Sequence, residues 1–491
     1  MYRPLNRRTE RTTGIVGTWV LVMSLNLGCF SERSVRLDPQ EAVRLAPGDR
    51  GEADGVSTRE WLRRTHEQLA PLLPTASAEP LLTEQLSNGD GQAADVFGHF
   101  GIERRSLQSI IKNFRGLLYS GQAASRDYYV ERQAPPWPGF EDIWIPISLV
   151  IDEELALSGR IGYARDEQGN IIDADCIVIL PGMFGDHGVK RSVDLAIPLR
   201  ESGFHVLHLE VRGHGQTERR YPRMYHCFGV VETDDLMQVC DWLEAQPHIR
   251  RTGLIAYCWN ANIALLSAWF DGRRADDGLI SKALLPYLPT YNPERRRFSA
   301  GVIAFSPVVR WEDLMDELDR PRSRIAHPIF AAIQDTVRDR MVRKGYPDPD
   351  GNLRRLVRLE YEGYNLDLPN ADRESYPFLR LMPYHGEPAG DKLDRARMPV
   401  LIVHGADDPL VPVQDVADMV AGVQNPKVAA VVLPSGGHVG FAGYARQYYL
   451  SLITNFFDPQ TGPAAALTSP ALAETRKHPD ERPVSLAGPT R

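Results

Sequence analysis

Between Thr252 and Leu265 the apolar run Gly253-Leu254-Ile255-Ala256-Tyr257 gives way to a helical pattern that begins at Trp259, with Cys258 alone between them. A strand that passes straight into a helix leaves no room for a loop, so the chain has to turn within a single tight step. Such a turn lifts its central side chain above the end of a sheet, and small residues two places to either side let the backbone close. Those places hold Ala256 and Asn260. The frame therefore departs three times from Gly-x-Ser-x-Gly: cysteine for serine, alanine for the first glycine and asparagine for the second. Asn260 is expected to crowd the turn most.

The chain has room for a large layered domain around this element. At 491 residues it exceeds a single core, since cores stop growing at roughly 250 to 300 residues. Its 43% apolar and 24% charged content is ordinary for a globular protein. A net charge of −8 excludes the basic face that nucleic-acid binding requires. The cysteines, Cys29, Cys176, Cys227, Cys240 and Cys258, form neither a disulfide framework nor a zinc spacing. No metal and no cofactor are expected.

The N-terminus has the layout of a targeting segment. Arg3, Arg7, Arg8 and Arg11 precede the apolar run 15–27, which is short for a bilayer span. That run ends in Leu27-Gly28-Cys29, similar to a lipobox except for Asn26 at a place usually aliphatic. Residues 1–30 are thus read as a signal peptide or membrane anchor. The expectation is a cell-envelope protein, membrane-anchored or a lipoprotein and associated with the membrane through its N-terminus; a cytoplasmic protein is the alternative.

Residues 31–57 read as a polar linker and 58–135 as a helical region. Thr58 stands as N-cap to a helix carrying Trp61, Leu62, His66 and Leu69, and 106–118 repeats Leu107, Ile110, Ile111, Phe114 and Leu117 at helical spacing. After Pro135-Pro136 short apolar runs alternate with helical patterns. Strands are predicted at 143–150, 158–164, 176–180, 205–210, 253–257, 300–305, 400–404 and 429–433, with helices at 192–201, 233–245, 259–270 and 413–420. This alternation predicts an α/β fold, a mostly parallel eight-stranded sheet covered by helices on both faces. Residues 136–310 and 398–458 would form the two parts of its core, 311–397 a helical insertion capping the site, and 459–491 a disordered tail.

A nucleophile at Cys258 needs a base to take its proton and an acid to orient that base. The run 400–404 leads into Gly405-Ala406-Asp407-Asp408-Pro409, which projects a carboxylate from a strand end. Asp408, directly before the proline, is the choice, and Asp407 stays an alternative. The run 429–433 leads into Ser435-Gly436-Gly437-His438-Val439-Gly440, whose glycines can present His438 as the base. Cys258, Asp408 and His438 then follow in the order nucleophile, acid, histidine. Two backbone N–H groups should hold an oxyanion. One is that of Trp259, and the other that of Met183 in Pro181-Gly182-Met183-Phe184-Gly185, with both side chains shaping the pocket. Asp186 and His187 read as solvated loop residues, Arg212, His214 and His226 as loop supports, and Cys176 and Cys240 as core.

With these residues in place, the chain resembles the α/β-hydrolase superfamily, most closely the family-four branch of carboxylesterases and acylglycerol lipases. The resemblance rests on Pro181-Gly182-Met183-Phe184-Gly185, Arg212-Gly213-His214-Gly215, Asp407-Asp408-Pro409 and Gly436-Gly437-His438-Val439-Gly440-Phe441, and it covers roughly 176–457. Pro181 stands where the branch usually has histidine. The resemblance implies an α/β-hydrolase fold with a helical cap and a small-molecule or lipid ester as substrate, cleaved without a cofactor through a covalent acyl-enzyme. Cysteine nucleophiles occur in the superfamily, in dienelactone hydrolases and polyhydroxyalkanoate synthases, and a thiolate is stabilised beside an imidazolium or a helix N-terminus. Acyl transfer of the polyhydroxyalkanoate-synthase type and an inactive binding lipoprotein with this fold are the alternatives.

Overall fold

The computed structural model describes residues 37–45, 57–76, 78–88, 90–102, 107–123, 133–148, 154–273, 295–320, 327–363 and 392–465. The expected export segment with Cys29, most of the linker and the tail from 466 lie outside the described residues.

Among the described residues the α-helices and strands begin with helix α1 (Thr58–Leu69), the two-residue strand β1 (Leu81–Leu82), and helices α2 (Val96–Phe100) and α3 (Leu107–Ala123). Then come β2 (Glu141–Ser148), β3 (Glu154–Gly162), β4 (Ala174–Leu180), α4 (Lys190–Glu201), β5 (His205–Glu210), α5 (Gly215–Arg220) and α6 (Val230–Glu244). The centre of the fold is β6 (Ile249–Tyr257), α7 (Trp259–Gly272) and β7 (Gly301–Phe305), followed by α8 (Trp311–Asp319), α9 (Pro328–Arg343) and α10 (Leu353–Gly363). The core closes with β8 (Val400–Gly405), α11 (Val413–Ala421), β9 (Val428–Leu433), α12 (Phe441–Tyr444) and α13 (Arg446–Phe457).

One nine-stranded sheet runs in the order β1-β9-β8-β7-β6-β4-β5-β3-β2. The six strands from β9 to β5 are parallel, while β3, β2 and β1 join antiparallel at the two edges. The parallel strands are mostly apolar because both of their faces are covered; His205, His208 and Glu210 of β5 and Arg250 and Arg251 near the start of β6 are among the exceptions. Cys176, Val178 and Leu180 of β4 pack into the layer of α6, α7 and α11, and Ile177 and Ile179 into the layer of α1, α4 and α13.

All eight expected strands are present, and their number rises to nine because β1 comes from the region read as purely helical. Leu81 pairs with Val432 and Leu82 with Val431; two residues carry no period that a sequence could display. Beyond that pairing, the Thr83 hydroxyl accepts from the Ala430 amide at 2.8 Å, and Arg59 Nε donates to the Val428 carbonyl at 3.0 Å. The N-cap of α1 is Ser57, whose hydroxyl accepts from Glu60 N–H, so Thr58 is the first helical residue and not the cap. Helix α13 went unmarked in the sequence because its apolar residues lie all round it, without the stripe of an amphipathic helix; from Tyr448 to Phe457 every residue is buried. Among the described residues, no helix is long and apolar enough to cross a membrane.

Candidate active site

Strand β6 ends at Tyr257 and α7 begins at Trp259, which leaves Cys258 as the single residue of the turn, with φ 58° and ψ −125°. A non-glycine residue held there stores about 1 to 3 kcal/mol of backbone strain. Two bonds fix the turn. Cys258 N–H donates to the Phe305 carbonyl of β7 at 2.9 Å, and its own carbonyl accepts from Ala261 at 3.1 Å. The thiol is free and partly buried, whereas Cys176, Cys227 and Cys240 are fully buried.

Asn260 follows Trp259 in the first turn of α7. Its side chain is fully buried and points across to the neighbouring loop, where Nδ2 donates to the Pro181 carbonyl. The segment following β4 is thereby tied to the elbow. Within that segment Phe184 N–H donates to His214 Nε2 at 2.8 Å, and His214 Nδ1 donates to the Arg212 carbonyl at 2.8 Å. Burial, with His226 and Arg340 nearby, keeps the His214 imidazole neutral, as this pattern of one donor and one acceptor nitrogen requires. The Phe184 amide is thereby committed within the loop. Gly182 lies so close that a Cβ there would stand 3.3 Å from Cys258 Cβ.

The two remaining predicted residues come together at the ends of β8 and β9. His438 Nδ1 donates to Asp408 Oδ2 at 2.9 Å, while Asp408 Oδ1 accepts from Leu410 N–H at 2.8 Å and Val411 N–H at 3.0 Å. Asp407 faces elsewhere: its carboxylate takes Gly437 N–H at 2.8 Å and the Ser435 hydroxyl. Geometry thus puts Asp408, and not Asp407, on the imidazole. The histidine loop folds back sharply, with positive φ at Gly436 (134°), Gly437 (55°) and Val439 (59°). For a β-branched residue such as Val439 this is a genuine outlier.

The electrostatics couple Cys258 to His438. Burial opposes ionisation of the thiol, but the His438 charge and contact, the Trp259 N–H and the Arg191 guanidinium outweigh it and hold the thiol below its ordinary range. Burial likewise opposes charge on His438, yet Asp408 and Cys258 together push the imidazole up to about 10. Asp408, despite burial, is held below the usual carboxylate range by His438, with His404 behind it. The mutual influence thus lowers the thiol and the acid and raises the imidazole. Nε2 of His438, the ring nitrogen not engaged by Asp408, is buried.

Several residues play parts that the sequence did not disclose. The Trp259 indole is fully buried against Phe228 at 5.3 Å and Trp311 of α8 at 4.8 Å between ring centroids, so it joins the elbow to the α8 helix instead of shaping a pocket. Asp186 and His187 are buried, not solvated: His187 Nδ1 meets His208 Nδ1 at 2.8 Å, and its backbone N–H donates to Glu210 at 2.9 Å. Arg340 of α9 is fully buried, forked onto Glu360 at 2.8 Å through both Nε and Nη2, paired with Glu218 at 2.7 Å, and stacked 4.9 Å above the Phe184 ring. An arginine among charged residues in a helical stretch gave no sign of this. Among the described residues, no cluster of His, Cys, Asp and Glu could hold a metal ion.

A parallel sheet with a strained strand-to-helix turn at its centre, and an acid and a histidine delivered from two later strand ends, defines an α/β hydrolase. The chain belongs to the alpha/beta hydrolase family, whose model matches residues 177–448. Among solved structures it is similar to an esterase of Pyrococcus furiosus, at 17% identity and a TM-score of 0.40, over 69% of this chain and 100% of that one. It is also similar to an acylaminoacyl peptidase of Pyrococcus horikoshii, at 15% identity and a TM-score of 0.38, over 66% of this chain and 42% of that one. Est1E from Butyrivibrio proteoclasticus gives 14% identity and a TM-score of 0.36, over 64% and 95%. No curated protein matches the sequence.

Proposed function

We propose that this α/β hydrolase cleaves carboxylic esters through a thioester at Cys258. The observation that carries the reading is the coupling of the partly buried Cys258 thiol to a His438 imidazole held by Asp408. In the first half-reaction the thiolate adds to the ester carbonyl, and the oxyanion is received by the N–H groups of Met183 and Trp259. Collapse of the adduct breaks the bond to the alkoxy oxygen, which leaves with the proton of His438 Nε2. His438, now neutral, takes a proton from water, and the hydroxide adds to the thioester. The second collapse releases the acid and regenerates the thiolate–imidazolium pair. The family-four-like motifs favour a small-molecule or lipid ester.

Purified full-length protein should hydrolyse p-nitrophenyl esters, Cys258→Ala should not, and an acyl adduct on Cys258 should appear by mass spectrometry after rapid quench. Turnover that survives in Cys258→Ala would end the proposal. Silence of the parent, with no adduct from esters of several chain lengths, would turn the reading toward a binding protein built on the same fold.

A further inference from the structure

Helix α3 lies ahead of the segment that matches the family, yet it runs between the two loops that carry the reacting groups. Its Ser120 is buried, and the hydroxyl makes two bonds at once. It donates to the Gly116 carbonyl one turn back at 2.6 Å and accepts from the backbone N–H of His438 at 2.6 Å. With its only proton spent inside the helix, the oxygen can offer His438 nothing but lone pairs. The contact extends beyond one bond. A Cβ on Gly437 or on Gly440 would run into the carbonyls of Gly116 and Tyr119, and a Cβ on Gly116 would run into the Asp407 carbonyl. Helix and loops therefore meet backbone to backbone, at a distance only glycine permits.

The far end of α3 reaches the other half of the site. The Ala123 carbonyl accepts from Arg191 Nη1 at 3.0 Å. The same guanidinium lies over the Tyr257 ring at 5.1 Å, and a Cβ on Gly182 would come within 3.0 Å of its Nη2. One helix thus touches the Asp407 turn, the histidine loop and the arginine beside the oxyanion loop.

We propose that α3 is a strut of the catalytic apparatus and that Ser120 is a positioning residue, holding the His438 backbone so that the imidazole stays on Cys258. The inference rests on the reading of Cys258, His438 and Asp408 as the reacting set.

The test uses Ser120→Ala and Ser120→Thr in the full chain. Alanine is the better helix former, so α3 itself is not weakened, and threonine keeps a hydroxyl that can bond back to the helix carbonyl. Two quantities are read: steady-state hydrolysis of p-nitrophenyl acetate, and the ultraviolet titration of the Cys258 thiolate against a Cys258→Ala background. Leaving the buried His438 N–H without an acceptor should lower kcat about ten-fold, with KM little changed. The thiolate titration should move to higher pH, because an imidazolium that drifts from sulfur stabilises it less. Ser120→Thr should recover most of both. Ser120→Ala with parental kcat and parental titration would overturn the proposal, as would a fall in kcat while the thiolate titration stays in place. The titration needs no substrate, so a parent inactive on esters would sink the functional reading and still leave this test standing.

Discussion

Asn260 Nδ2 donates to the Pro181 carbonyl, so a single buried side chain ties the turn that bears Cys258 to the loop that bears Met183. The residue that most departs from a glycine elbow is therefore the one that couples its two halves.

Restoring the customary glycine should harm the enzyme. Asn260→Gly removes the Nδ2 donor and leaves the Pro181 carbonyl without it, at a cost of about 1 to 3 kcal/mol. We expect ester kcat to fall about ten-fold with KM little altered, and Asn260→Ala to behave alike. Faster turnover by Asn260→Gly in a steady-state assay would contradict this account.

The two adjacent aspartates should separate cleanly. Asp408 Oδ2 meets His438 Nδ1 at 2.9 Å, whereas Asp407 is engaged with Gly437 and Ser435. Asp408→Asn should cost on the order of 1,000-fold in kcat, because an amide favours the wrong imidazole tautomer. Asp407→Asn should cost far less. Similar losses in both variants would remove the assignment.

The pH profile should be broad. Its acid limb reflects formation of the thiolate and should lie below the range of a free thiol, since Cys258 is held down. The alkaline limb reflects loss of the imidazolium proton, and His438 stands at about 10. Both limbs belong to the coupled pair and not to either residue alone. In Cys258→Ser the sulfur charge that helps raise His438 is gone, and a serine needs the neutral imidazole as general base, so the His438 titration should fall to lower pH and appear as the acid limb of the profile. A profile of kcat/KM against pH for both proteins checks the direction.

Arg340 should matter for stability more than any other residue of α9. It is fully buried and bonded to Glu360, Glu218 and the Gly213 carbonyl. Arg340→Ala would leave buried Glu360 with the His226 N–H and Glu218 with the more distant Arg343 and Lys344, and removing one partner of such a network costs about 3 to 5 kcal/mol. Calorimetry should show a large fall in Tm. Arg340→Ala/Glu360→Ala should lose less than the sum of the single variants.

What the sequence disclosed and what it withheld follow from distance along the chain. Strands such as Cys176–Leu180 and the Val400 run are legible because burial on both faces makes them continuously apolar, and Cys258, Asp408 and His438 each sit directly after such a strand. Their neighbours in space are another matter. Ser120 bonds to a residue 318 positions away, and Asn260 to one 79 positions away; each is an ordinary polar residue until the fold joins them. His187 read as solvated because its partners, His208 and Glu210, stand 21 and 23 positions further along the chain on β5, and only the fold brings them to its loop.

The edge of the sheet at β9 has a consequence for how this protein behaves in company. A bare parallel edge offers a ladder of amides and carbonyls on which a second chain can grow. Here β1, the Thr83 hydroxyl and the Arg59 guanidinium occupy that ladder one rung after another. A segment of the same chain, too short to be recognised as a strand, thus serves as a built-in terminator that withholds this edge from intermolecular polymerisation.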